Sequence, residues 1–216
     1  MDHLPKQAIA FLAGSFDPVH FGHLRPAIEI REALNLGTLF LMPNRIAPHK
    51  NKAKCSAKQR VKMLELAIVN QSKIRVDTRE LKRDSVSYSI DSLIELKQKY
   101  PNTPICFIMG MDSLIHFDKW HRWQEILEYC HLIINERPGW KIKLSAPLQT
   151  LIMRCQSSNK DDLHHLQNGK IYFQKTTQLA ISSTTIRALT NEKHSISYLS
   201  PSSVCDYIKK NKLYLL

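Results

Sequence analysis

Short apolar runs alternate along this chain with longer stretches in which apolar residues recur every three or four positions. "AIAFLA" (8–13), "TLFLMP" (38–43), "KIRVDT" (73–78), "PICFIMG" (104–110), "CHLIINERPG" (130–139) and "KIYFQK" (170–175) read as strands. "GHLRPAIEIREALNL" (22–36), "AKQRVKMLELAIVN" (57–70) and "SIDSLIELKQKY" (89–100) carry the helical period, the first ending at Gly37 as an expected C-cap. "LQTLIMRCQ" (148–156) is a further helical segment, and "SSNKDDLHHLQNG" (157–169) is expected to be a loop. "ISSTTIRALTNEK" (181–193) and "SPSSVCDYIKKN" (200–211) close the chain as two helices, each expected to be opened by serine.

Most of the strands are unbroken apolar runs, the mark of a sheet buried on both faces. Their alternation with helices predicts an α/β fold: a Rossmann-like, doubly wound parallel sheet with helices on both faces and a helical C-terminal part. The 216 residues, without a linker or repeat, are expected to form a single domain over 1–216. Ligands of such sheets sit at the carboxyl ends of the strands. That rule puts "GSFDPVHFGH", "PNRIAPHK" and "GMDS" along one rim.

Composition narrows the class. No apolar run approaches the roughly 18 residues of a membrane span. "MDHLPKQAIA" lacks the pattern of a signal peptide, so the expected location is cytoplasmic. The five cysteines, at 55, 106, 130, 155 and 205, are odd in number and widely spaced, which argues against a disulfide framework or structural zinc. Lys and Arg outnumber Asp and Glu by 31 to 19, an excess that attracts polyanions. The clusters "HKNKAK", "RELKR" and "DYIKKNK" have no interleaved aromatics, so most of this charge reads as solvated surface.

The candidate chemistry begins at "GSFDPVHFGHL" (14–24). Gly14 permits a tight turn and Pro18 stiffens the loop. The first turn of the next helix offers unpaired N–H groups, which favour an anion. His20 and His23, three apart, can both face that anion, and Gly22 would let a phosphate or flat ring approach the backbone. The same pair with Asp17 nearby leaves a metal site open as an alternative.

"GSFDPVHFGH" after an apolar strand resembles the first signature of nucleotidyltransferases with the T/H-x-G-H motif, and "ISSTTIR" (181–187) resembles their second. "PNRIAPHK", "RVKMLELAI", "RELKRDSVSYSIDSL", "FIMGMDSL", Trp120, "ERPG" and "GKIYF" follow in the order of one family, the bacterial nicotinate-nucleotide adenylyltransferases. The likeness spans about Ala8 to Tyr214 and is weakest over 141–167. Ala13 stands where that family usually carries a glycine.

The resemblance implies transfer of AMP from ATP to nicotinate mononucleotide, giving nicotinate adenine dinucleotide and pyrophosphate. It implies His20, His23 and Arg187 as catalytic. Gly14, Ser15, Phe16, Gly22, Lys50, Gly110, Asp112, Ser182, Ser183 and Thr184 join them in binding ATP, Asp112 through ribose hydroxyls. Asn44, Ser89, Trp120 and His121 are expected to bind the mononucleotide. Trp120 is the expected stacking partner of the pyridinium, and Trp123 is expected to pack in the core. Mg2+ would arrive on the ATP phosphates without dedicated protein ligands. The expected partners are these small molecules, with no nucleic acid and no membrane. Two alternatives stay open: adenylyl transfer to another phosphorylated acceptor (nicotinamide mononucleotide or phosphopantetheine), and a basic RNA-binding module with a degenerate nucleotide site.

Overall fold

The structure, a computed structural model, describes residues 7–46, 53–84, 86–136 and 143–215. Its strands are β1 (Ile9–Gly14), β2 (Leu39–Pro43), β3 (Ile74–Val76), β4 (Ile105–Gly110), β5 (His131–Glu136) and β6 (Ile171–Lys175). The α-helices are α1 (Phe21–Ala33), α2 (Ala57–Ala67), α3 (Ser89–Lys99), α4 (Met111–Leu114), α5 (Ala146–Cys155), α6 (Asp162–His165), α7 (Ser183–Asn191) and α8 (Ser202–Lys210). Short 3-10 turns cover Arg79–Lys82, Phe117–Lys119 and Trp123–Glu128. The six strands form one parallel sheet in the order β3-β2-β1-β4-β5-β6, the order of a doubly wound Rossmann sheet. In β4 and β5 consecutive residues from Ile105 to Met109 and from His131 to Ile134 are buried. Successive side chains of a strand point to opposite faces, so both faces of these strands are covered.

Local rules account for most element ends. Ser56 and Gln59 form a reciprocal capping box that opens α2. The first helix ends before Gly37: Asn35 takes the left-handed conformation (φ 50°), and Leu36 N–H donates to Arg31 O at 2.9 Å. Asparagine tolerates that conformation, so the expected glycine cap is not used. Pro201, not a serine, precedes α8, and a one-turn helix, α6, interrupts the expected loop at 157–169.

The described residues fall into two compact units that interleave along the chain. The first comprises 7–12, 29–39, 88–136 and 143–176. Its core holds Ile90, Leu93, Leu96, Ile105, Phe107, Leu132 and Leu148, all nearly inaccessible to water. Two histidines there bridge backbone groups: His131 between Lys170 N–H and Leu166 O, and His164 between Ala8 N–H and Leu34 O. Cys106 and Cys130 are buried in this unit as free thiols, and burial raises both thiol pKa values. The second unit comprises 13–28, 40–46, 53–84, 86–87 and 177–215. Here α8 packs on α2, Val204, Ile208, Met63 and Leu64 are buried, and Ser203 Oγ donates to Leu66 O at 3.0 Å.

Candidate active site

In the second unit the chain leaves β1 at Gly14 and turns through Phe16, whose φ is 48°. The Phe16 ring is buried against Gly14, and a Cβ at residue 14 would lie 3.4 Å from it. The left-handed residue of this turn is therefore Phe16. Gly14 serves by letting the ring approach, and Ala13 keeps ordinary backbone angles. The Asp17–Pro18 peptide is cis.

Side chains from distant segments hold the carbonyls of this loop. Arg60 Nη1 donates to Ser15 O at 2.7 Å, and Arg187 Nη1 to Asp17 O at 2.7 Å. Ser183 Oγ donates to Pro18 O at 2.9 Å, and Ser200 Oγ to Val19 O at 2.8 Å. Each of these contacts uses a loop carbonyl and none a loop N–H. Asn44, after β2, is joined to the same frame: its N–H donates to Gly14 O at 3.0 Å, and its carbonyl accepts from Arg60 Nη2 at 2.7 Å.

Asp17 is 4% exposed and its carboxylate accepts from three groups. These are Lys54 N–H (2.6 Å), Cys55 N–H (3.3 Å) and the Tyr214 hydroxyl (2.7 Å). These bonds tie the carboxylate to the segments at 54–55 and 214. Among the described residues no group of three or more His, Cys, Asp or Glu side chains is placed to hold a metal ion.

The imidazoles of His20 and His23 stack with centroids 3.7 Å apart, and Phe16 meets His23 edge-on at 5.1 Å. His20 is 4% exposed, and its Nδ1 has no hydrogen-bond partner among the described residues. Burial lowers its pKa from 6.5 to about 4, so at neutral pH it is an uncharged ring. At neutral pH the pair is therefore not two cations. A Cβ at Gly22 would meet the His20 ring and Ile181 O, so the missing side chain lets that ring and carbonyl come close.

The second signature forms the start of α7. Ser182 is the N-cap, accepting from Thr185 N–H at 3.0 Å. Ser183 spends its hydroxyl on Pro18 O, and exposed Thr184 accepts from Arg187 Nη2 at 3.0 Å. Arg187 is thus oriented from both sides, with further guanidinium N–H groups beyond these two bonds. The structure brings Gly14, Ser15, Phe16, Gly22, the two histidines, Asn44, Ser182, Ser183, Thr184 and Arg187 together. Lys50 lies outside the described residues.

The other expected residues belong to the first unit. Gly110 is the N-cap of α4, and a Cβ there would collide with Asp112 Oδ1. Asp112 is exposed in the first turn and is not the cap. Ser89 opens α3, whose N-cap, Tyr88, makes no side-chain capping bond. The Tyr88 ring lies 4.4 Å from that of His121, which joins the 120–121 segment to the start of α3. Trp120 is half-exposed and held edge-on by Phe107 (6.3 Å) and Phe117 (5.5 Å). Trp123 packs on Phe117 at 5.9 Å and is half-buried.

The family model described as cytidylyltransferase-like matches residues 11–189. A Psychromonas ingrahamii protein named "probable nicotinate-nucleotide adenylyltransferase" is 60% identical over 211 residues, covering 98% of this chain and 99% of its own. The chain belongs to the nicotinate-nucleotide adenylyltransferase family. An Aeromonas hydrophila relative with the same name is 47% identical, covering 97% of this chain and 98% of its own. The fold is shared with solved Plasmodium falciparum nicotinic acid mononucleotide adenylyltransferases. One, complexed with NaAD, gives a TM-score of 0.71 at 23% identity over 96% of this chain and 97% of its own. Another, complexed with APC, gives 0.70 at 21%, with the same coverage of both chains.

Within this adenylyltransferase family member, Arg60, Tyr88 and Tyr214 are residues that the sequence reading missed. Arg60 had a signal: a charged residue among the apolar positions of α2, one turn before Met63 and Leu64. Tyr88 and Tyr214 had none, since their ring and hydroxyl contacts depend on distant segments.

Proposed function

We propose that this chain, as a single nucleotidyltransferase domain of 216 residues acting in the cytoplasm, transfers AMP from ATP to nicotinate mononucleotide. The observation that carries the reading is the Arg187–Asp17 bond, which joins residues 170 apart and puts both signatures on one loop. Among the described residues, no helix is long and apolar enough to cross a membrane. ATP and the mononucleotide are the partners in this reading, which gives nucleic acid no role.

In the reaction, a phosphate oxygen of the mononucleotide forms a bond to the α-phosphorus of ATP. The bond from that phosphorus to the bridging oxygen breaks, and pyrophosphate leaves with the electron pair. The nucleophile is already ionised near neutral pH, so no general base is required. The chain's task is to hold two anions together and to meet charge on the α-phosphoryl oxygens and the leaving group. His23, neutral His20 and the loop amides from Ser15 onward donate to the phosphates, and Arg187 offers its unspent N–H groups to the β- and γ-phosphates. Ser182 and Thr184 present the start of α7 to the same charge. Lys50 is proposed as a further cation on the triphosphate.

Asp112 accepts from the ribose hydroxyls of ATP, and at the other substrate Trp120 stacks on the pyridinium. The uncapped N–H groups at Ser89, with His121 and Asn44, bind the rest of the mononucleotide. Asp17 already accepts from three protein groups, which fits a cation carried by the nucleotide. Mg2+ on the phosphates would neutralise charge there, most of its shell being water. The test is an acceptor panel. The protein is incubated with ATP and, in turn, nicotinate mononucleotide, nicotinamide mononucleotide and phosphopantetheine, and the products are weighed. A dominant nicotinate adenine dinucleotide mass is expected, and any other dominant product refutes the assignment.

A further inference from the structure

The segment after α8 reaches back to the phosphate loop. Leu213 is buried and its N–H donates to Ile208 O at 3.0 Å, which ties the segment to the helix end. Tyr214 then adopts φ 64°, and Lys212, two residues earlier, φ 51°. A left-handed backbone is unfavourable for a bulky aromatic residue and persists only where the surroundings over-determine it. Here it points a half-buried phenol at Asp17, with the hydroxyl 2.7 Å from Oδ1. Burial and the adjacent carboxylate push the phenol well above its ordinary range, so it remains a donor at any working pH. The other carboxylate contacts come from Lys54 and Cys55 N–H, and the main-chain carbonyl of the same Asp17 receives Arg187.

We propose that Tyr214 is a positioning residue for triphosphate binding, acting through Asp17 to set the loop and the guanidinium of Arg187. This rests on the reading of the loop as the ATP phosphate site. Removing the hydroxyl leaves a buried carboxylate oxygen short of a donor. The loop then loses part of its frame while its own phosphate-facing groups are untouched.

The experiment is a double-mutant cycle with Tyr214→Phe and Asp17→Asn. Binding of α,β-methylene-ATP is followed by titration calorimetry, beside KM for each substrate and the thermal midpoint. Tyr214→Phe is expected to weaken analogue binding about tenfold while KM for nicotinate mononucleotide stays within about twofold. The double variant is expected to bind the analogue no more weakly than Asp17→Asn alone. Unchanged analogue binding in Tyr214→Phe, equal losses for both substrates, or additive losses in the double variant overturn the proposal. Tyr214→Phe removes a single oxygen and decides the matter if Asp17→Asn does not fold. A wild type that binds the analogue but ignores nicotinate mononucleotide refutes the acceptor alone, because calorimetry judges Tyr214 without it.

Discussion

Gly22 lies against the imidazole of His20: a Cβ at residue 22 would sit 2.9 Å from Nδ1 and 3.0 Å from Cε1, with Ile181 O at 3.1 Å. Neither the buried ring nor the backbone carbonyl can yield cheaply. Gly22→Ala should therefore shift His20 and lower turnover at least about tenfold, with a stability loss of about 1–3 kcal/mol. Steady-state kinetics and urea unfolding read the two effects. Full activity in a folded Gly22→Ala protein contradicts the arrangement.

If His23 donates to the phosphates as proposed, His23→Ala should lower turnover by a factor on the order of 100, leaving the circular dichroism spectrum unchanged. Near-normal turnover in the folded variant would end the catalytic assignment of His23.

His20 makes stability depend on pH. Its folded pKa, about 4, lies below the unfolded value near 6.5. Between these values the unfolded chain binds the additional proton, so this contribution is present in full above pH 6.5, is lost as pH falls through the window, and changes no further below about 4. The full effect is on the order of 3 kcal/mol. Denaturation midpoints at several pH values should show a shallower slope from pH 4 to 6.5 in His20→Asn than in wild type. Parallel slopes would exclude His20 as the source.

Arg60 is 1% exposed and supplies donors to Ser15 O and Asn44 O. Arg60→Met fills the space without them. It should cost about 2–4 kcal/mol of stability and raise KM for ATP, since both carbonyls frame the phosphate loop. Unfolding by guanidinium chloride and initial rates at varied ATP test this. A stability loss with unaltered KM would confine Arg60 to the fold.

The pyridine end should discriminate by charge. N–H donors at the start of α3 match a carboxylate and leave the amide's NH2 without an acceptor. Nicotinate mononucleotide should exceed nicotinamide mononucleotide in kcat/KM by a factor on the order of 100, and Trp120→Ala should raise KM for the mononucleotide far more than for ATP. Equal use of both acceptors, or an ATP-selective defect in Trp120→Ala, would contradict this placement.

Where period and local chemistry set the structure, the sequence was readable. The apolar runs at β4 and β5 and the spaced apolar positions of α2 and α3 all lie where their patterns put them. The H-x-G-H loop was legible because its residues are contiguous. The roles inside it were less so. Gly14 accommodates a ring that only the turn at Phe16 creates, and Gly22 also makes room for the His20 imidazole. Asn35 displaced Gly37 as terminator because two residues compatible with a helix end lay within three positions. Arg60 shows only as a charge among the apolar positions of α2, and the bonds from Ser200 and Tyr214 leave no periodic trace, since each joins a side chain to a group far away in the chain.

The carbonyl anchors of the phosphate loop come from residues 45 to 181 positions away, and the Tyr214 bond spans 197. Such contacts form late, after the chain between them has lost its loop-closure entropy. A nascent chain still lacking α7 and α8 has the H-x-G-H sequence but not the loop that presents it. Competence to bind nucleotide therefore arrives with the last steps of folding, and recovery of analogue binding during refolding should lag behind recovery of helical signal.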